Sequence, residues 1–225
     1  DTVLKPDGQP SATNGDTADV FAQLISAVGN LSTKIESNAA QVAARLDRLE
    51  QRDTKTADVV ADKPPVTEAE VLAVQAAWAS AIASISKVHK AGGDYIKAAG
   101  EAAGELYAYG HSDVLFKPTK AVEYQFRPTA AEAMSYFVGG KVVEGGYSED
   151  AGFAINGGKG WESCVYENHK IELKGGLGFA MGNYYFKCAT TGETSKVEYT
   201  FGYSRCDDGK VRIFLHHSSV PYAAK

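Results

Sequence analysis

The last third of the chain leaves the least freedom. From Trp161 onward, runs rich in Tyr, Val and Phe are cut by Lys174-Gly175-Gly176, Thr191-Gly192-Glu193 and Asp207-Asp208-Gly209, and runs of this texture between short Gly-bearing turns specify hairpins. They predict a meander of antiparallel strands near 161–173, 178–189, 196–206 and 210–220. Such a sheet buries one face and needs an apolar cover for it.

The preceding segment supplies that cover. Thr67-Glu68-Ala69-Glu70 is a capping box flanked by Val66 and Val71, and Val71, Val74, Trp78, Ile82 and Ile85 then recur at three and four, which starts a helix at Thr67. Ala91-Gly92-Gly93-Asp94 stops it and caps a second helix expected to reach about Tyr109. Thr129-Ala130-Ala131-Glu132 repeats the capping box and opens a short third helix carrying Met134, Ser135, Tyr136 and Phe137. Between the last two, Val114-Leu115-Phe116-Lys117-Pro118-Thr119 reads as extended. Helices followed by a hairpin-linked sheet give an α+β fold, with the helices over one concave face.

Four stretches follow from the same pass. Residues 1–16 read as a flexible leader. Residues 17–54 form an amphipathic helix with a seam of Phe21, Leu24, Val28, Leu31, Ile35, Val42 and Leu49, interrupted by Asn38 and Arg45. That 3-4 alternation is the pattern of a coiled coil, and docking onto the chain's own second domain is the alternative. Residues 55–65, with Lys63-Pro64-Pro65, are a linker, and 66–225 are the main domain.

Charge and motif content narrow the function. A formal net charge of -5 argues against a broad nucleic-acid surface, and no stretch has the roughly 20 consecutive apolar residues of a membrane span. Cys164, Cys188 and Cys206 form neither a disulfide framework nor a zinc-type spacing. HExxH, GxSxG, P-loop and dinucleotide-binding patterns are absent. What stands out is His216-His217-Ser218-Ser219, four hydrogen-bonding side chains where Ile213 and Leu215 had been burying a face. They form either a satisfied internal network or a ligand site, with Thr119 and Tyr136 as the nearest candidates to complete it.

Several segments together carry a resemblance: Gly92-Gly93-Asp94-Tyr95, Val114 to Thr119, Gln125-Phe126-Arg127, Ser135 to Gly140, Ala180-Met181-Gly182-Asn183-Tyr184, Val197 to Tyr203 and His216 to Tyr222. In this order they resemble the iota-class carbonic anhydrases, over roughly residues 67–223. The resemblance implies a cone-shaped domain similar to the association domain of calcium/calmodulin-dependent kinase II, of the nuclear-transport-factor-2 (NTF2-like) type. It implies interconversion of carbon dioxide and bicarbonate without a cofactor, by hydroxyls that fall on Thr119, Tyr136 and Ser218 or Ser219, with His216 or His217 assisting proton movement or holding a serine. Strict alternation puts His217 and Ser219 on the core face, and a bulge puts His216 and Ser218 there instead.

Phe116, Phe137, Phe153 and Phe179 are candidates for the apolar wall around carbon dioxide. The resemblance also implies a homodimer or higher homo-oligomer, with the sheets packing face to face. It points to an algal plastid or a bacterial periplasm, with a targeting segment removed ahead of Asp1. Hydration with a bound metal, and a non-catalytic association module, are the competing readings.

Overall fold

The computed structural model describes residues 23, 26–31, 33–47 and 63–223. The chain divides into two compact units, 1–58 and 59–225. In the first, the described residues are helical and exposed, and Val28, Leu31, Ile35, Val42 and Leu46 hold their apolar side chains 54% to 61% exposed. The expected leader 1–16, Phe21, Leu24, Leu49 and linker positions 55–62 lie outside the described residues.

The second unit runs α1 (Glu68–Lys90), α2 (Tyr95–Leu106), β1 (Leu115–Lys117), α3 (Ala130–Val138), two short 3-10 turns (Gly140–Val142 and Phe153–Gly158), then β2 (Trp161–Lys174), β3 (Leu177–Cys188), β4 (Thr194–Arg205) and β5 (Val211–Ser219). Both capping boxes form as expected. The Glu70 N–H donates to Thr67 Oγ1 at 3.3 Å while the Thr67 N–H donates to Glu70 Oε2 at 2.9 Å. The Thr129 and Glu132 pair repeats the arrangement at the start of α3. Asp94 caps α2 through the Lys97 N–H at 2.9 Å.

Helix α2 stops three residues short of the expected Tyr109, at Leu106. The reason is packing: Tyr107 turns extended, bridges to Ile213 and puts its ring into the core, where it is 2% exposed.

The sheet has the order β1-β5-β4-β3-β2. The expected meander makes up four of its strands, and the extended segment adds an edge strand, β1, parallel to β5. Alternation sends Val197, Tyr199, Phe201 and Tyr203 of β4 and Ala180, Tyr184 and Phe186 of β3 to the helix side, all buried. Gly182 fits a bulge on β2 at Asn168–Lys170, because a side chain there would overlap the Glu167 backbone carbonyl.

Helix α1 lies across this face. Its length and composition would suit a membrane span, but its stripe of Val71, Gln75, Trp78, Ile82, Ile85 and Ser86 is buried in the core. Gln75 Nε2 donates to Asn168 Oδ1 on β2 at 2.9 Å, and Trp78 packs within 6.5 Å of Phe153, Tyr166, Tyr184, Phe186, Phe201 and His216. One aromatic core therefore joins the helix to four strands, with His216 inside it.

Candidate active site

The end of β5 is set by a bulge. Gly202 pairs with Leu215 but Tyr203 pairs with Ile213, so Phe214 is an extra residue in the strand. An extra residue reverses which side chains face inward beyond it. His216 and Ser218 are each 2% exposed, whereas His217 is exposed and Ser219 is half-buried, donating to Glu198 Oε2 at 3.2 Å. Of the two sequence alternatives the structure takes His216 and Ser218, and it places His217 and Ser219 on the opposite face. Gly202 makes room for the bulge, because a Cβ there would come 2.8 Å from Phe214 Cζ.

The same geometry corrects one wall residue. Phe179 pairs with Gly202, between the buried Gly178 and Ala180, and its ring meets Phe214 at 6.0 Å on the face away from the helices.

Parallel pairing of β1 with β5 sets Phe116 against His216 and Lys117 against His217. Two residues on, Thr119 Oγ1 lies 2.8 Å from Ser218 Oγ. The loop that follows is held from below by Arg127, which is fully buried. Its Nη2 donates to Asp150 Oδ1 at 3.0 Å and lies 3.6 Å from Glu149, its Nη1 donates to the Tyr124 carbonyl, and its guanidinium sits 4.5 Å over the Tyr147 ring. Ser135 on α3 donates to Asp150 Oδ2 at 2.6 Å, so the helix that carries Tyr136 and the loop that carries Thr119 share one ion-pair network. The backbone N–H groups of Val122, Glu123 and Tyr124 donate to Glu149 at 2.8, 3.0 and 2.8 Å.

Tyr136 is 5% exposed, and its buried hydroxyl makes no full hydrogen bond, a condition shared by Tyr166 and Tyr203. What distinguishes Tyr136 is its neighbourhood: the Lys120 backbone and the Thr119 side chain are close enough to offset part of the effect of burial, which pushes its pKa well above the ordinary range. Tyr184 is the same kind of group. Burial raises its pKa, the Ser218 and Thr119 hydroxyls partly oppose this, and its Oη lies 3.4 Å from His216 Nε2.

His216 itself stacks on Phe116 at 4.6 Å, meets Phe201 at 4.1 Å and pairs through Nδ1 with the Tyr107 hydroxyl at 2.7 Å. Burial, and to a smaller extent His217, push its pKa well below the ordinary histidine range. The cluster therefore comprises Thr119, Tyr136, Tyr184 and Ser218, all protonated at neutral pH, beside a neutral imidazole. Hydroxyls of this kind can donate to an anionic oxygen and accept from a water.

Tyr136 is shared with a cavity of about 140 Å3 that Phe153, Trp161, Lys120, Asp150 and Gly152 also line. Phe153 stacks on Tyr136 at 5.4 Å and lines the same cavity. Phe116 packs on His216 and is edge-on to Tyr136 at 5.8 Å. Phe137 lies behind Phe116 and lines a smaller apolar void with Trp78 and Tyr107. Among the described residues, one group of three side chains could share a metal ion, His111, Cys206 and Asp208. It sits at the far end of β5 from Ser218, beside the β4–β5 turn.

Sequence reasoning missed Tyr107 and Tyr184 as members of the cluster. Nothing in the local sequence sets their hydroxyls apart, and only the tertiary fold brings them to His216. Arg127 and Asp150 were missed as supports for the same reason.

A model of the metal-independent carbonic anhydrases matches residues 69–220. The chain belongs to this family. A metal-independent carbonic anhydrase from Nostoc sp. strain PCC 7120 is 38% identical over 163 residues, covering 70% of this chain and 75% of the relative. The crystal structure of a cyanobacterial iota-carbonic anhydrase complexed with bicarbonate overlays with a TM-score of 0.64 at 35% identity, over 71% of this chain and 95% of that one. A protein of the NTF2-like family from Streptomyces avermitilis, at 13% identity and a TM-score of 0.43 over 68% of this chain and 95% of its own, is a more distant likeness.

Proposed function

We propose that this metal-independent carbonic anhydrase homologue reversibly hydrates carbon dioxide to bicarbonate and a proton, with Thr119, Tyr136 and Ser218 as the groups that hold the substrate. The observation that carries the reading is the convergence of these hydroxyls from the loop after β1, from α3 and from β5, beside a cavity lined in part by the Tyr136, Phe153 and Trp161 rings. In hydration, water oxygen bonds to the carbon while one C=O electron pair moves onto oxygen, and the water gives up a proton. The oxygen that gains charge needs donors already in place. Protonated Thr119 and Tyr136 hydroxyls are such donors, and the Phe116 and Phe153 rings suit the apolar body of carbon dioxide. The relative solved with bicarbonate supports an anion-holding role for this pocket. His216, held neutral by burial, is a weak base and serves better as a fixed partner of Ser218 than as the proton acceptor.

The protein we propose is also a homo-oligomer. The apolar seam of the N-terminal helix would pair with a second copy, and the sheet face bearing Met181, Asn183, Glu198, Thr200 and His217 would meet another sheet.

The deciding experiment is a stopped-flow carbon dioxide hydration assay on protein shown to be metal-free by elemental analysis. Activity well above the buffer rate is the expected result. Activity lost on chelation and restored by zinc or manganese would replace it with metal-dependent hydration, and no activity in either form would leave an association module.

A further inference from the structure

A line of hydrogen bonds runs into the hydroxyl cluster from the core side. Trp78 Nε1 lies 3.0 Å from the Tyr107 hydroxyl, which lies 2.7 Å from His216 Nδ1. His216 Nε2 then faces Tyr184 Oη at 3.4 Å and Ser218 Oγ at 3.5 Å, and Ser218 meets Thr119. Trp78, Tyr107 and His216 are 1%, 2% and 2% exposed, so solvent satisfies none of them.

The first member sets the order of the rest. An indole N–H donates and cannot accept, so Trp78 takes an acceptor position on the phenol oxygen. The phenol has one hydrogen, and among the described residues the acceptor within reach is His216 Nδ1. Were Nδ1 to carry a hydrogen instead, the buried phenol would be left with a donor and no acceptor, which buried polar groups avoid. We infer that Tyr107 is a positioning residue: it fixes His216 as the Nε2–H tautomer and thereby turns Thr119 outward as a donor to substrate.

The same inference carries the order onward from His216. The Nε2 hydrogen points at the Ser218 and Tyr184 oxygens. In the inferred order Ser218 Oγ accepts from that donor and gives its own hydrogen to Thr119 Oγ1, 2.8 Å away, which turns the Thr119 hydrogen to the side of Tyr136 and the substrate. The line ends at an indole that cannot take up a proton, so it orients the cluster and does not conduct protons to solvent. This role rests on the hydroxyl-pocket reading above, whereas the tautomer itself does not.

The test uses the full chain with 15N-labelled histidine. His216 signals, assigned through contacts to the Phe116 and Phe201 rings, are expected to show hydrogen on Nε2 and none on Nδ1. Tyr107→Phe keeps the ring and removes the donor. It should shift His216 toward the Nδ1–H form and lower kcat on the order of 100-fold with little change in KM, the scale of a misdirected catalytic group. Wild-type protein with hydrogen on Nδ1 would overturn the inference even if Tyr107→Phe failed to fold. So would Tyr107→Phe with both tautomer and kcat unchanged. An Nε2–H tautomer in a protein without hydration activity would sink the pocket reading and the catalytic role of the line, leaving the tautomer assignment standing.

Discussion

Thr119 Oγ1 and Ser218 Oγ stand 2.8 Å apart although 99 positions separate them in the chain. The parallel edge pairing of β1 with β5 and the bulge at Phe214 are both needed for the meeting, because either change of register would turn one hydroxyl away.

If the two hydroxyls act as a unit, removing one should cost nearly as much as removing both. Thr119→Ala and Ser218→Ala are each expected to lower kcat/KM on the order of 100-fold, and the double variant should be little slower than either single one. Stopped-flow hydration rates alongside melting curves check this. Fully additive losses would mean that the pair does not work together.

Tyr136→Phe removes one hydroxyl that has no full hydrogen bond to lose. Stability should therefore stay level or rise slightly, since a buried unpaired donor is itself costly, while the hydration rate falls on the order of 100-fold. A rate within about twofold of wild type would show that the phenol merely fills space.

Sheet, capping boxes and helix order were legible in the sequence because each is encoded locally, by hairpin glycines at Gly175, Gly192 and Gly209, by Thr67 with Glu70, and by Thr129 with Glu132. The choice between Ser218 and Ser219 was not legible. It depends on one inserted residue, Phe214, whose accommodation is written in Gly202 on the neighbouring strand. Phe179 lies on the face away from the helices by plain alternation on β3, and a long apolar side chain on a strand does not announce its face. Tyr107, Tyr184 and Arg127 owe their roles to neighbours far along the chain, and local pattern carries no trace of such partners.

Gly140 follows the helix that carries Tyr136. A Cβ there would overlap the Tyr147 carbonyl oxygen, and the Gly140 N–H donates to the Asp150 carbonyl at 3.0 Å. Backbone on both sides leaves little room to yield, so Gly140→Ala should destabilise by about 3 kcal/mol, a fall in Tm of roughly 10 °C for a domain of this size. Differential scanning calorimetry measures it, and an unchanged Tm would contradict the close packing of the two segments.

Acid should loosen the loop that holds Thr119. Burial opposes the Glu149 carboxylate, but the Glu123, Tyr124 and Val122 N–H groups and Arg127 outweigh it and hold its pKa at about 2. A depressed folded pKa contributes stability that is present above the unfolded value, about 4.3, and is lost as pH falls through about 2. Amide exchange at Val122, Glu123 and Tyr124 should accelerate relative to the sheet across that window, and Glu149→Gln should show the loosened loop already at neutral pH. Protection that stays constant down to about pH 2 would count against this anchoring.

The N-terminal helix makes the last prediction. Val28, Leu31, Ile35 and Val42 are each more than half exposed, along one seam of a helix. An apolar stripe of that kind left in water favours association, and Asn38 within the seam is the sort of polar interruption that fixes register at some cost in affinity. Leu31→Glu with Ile35→Glu puts like charges on that seam while leaving residues 63–223 untouched. The full-length variant should therefore show a smaller particle mass by light scattering than wild type at equal concentration, with its hydration rate per chain unchanged. Equal masses for the two proteins would show that the seam does not hold copies together, and would leave the exposed sheet face as the surface to test next.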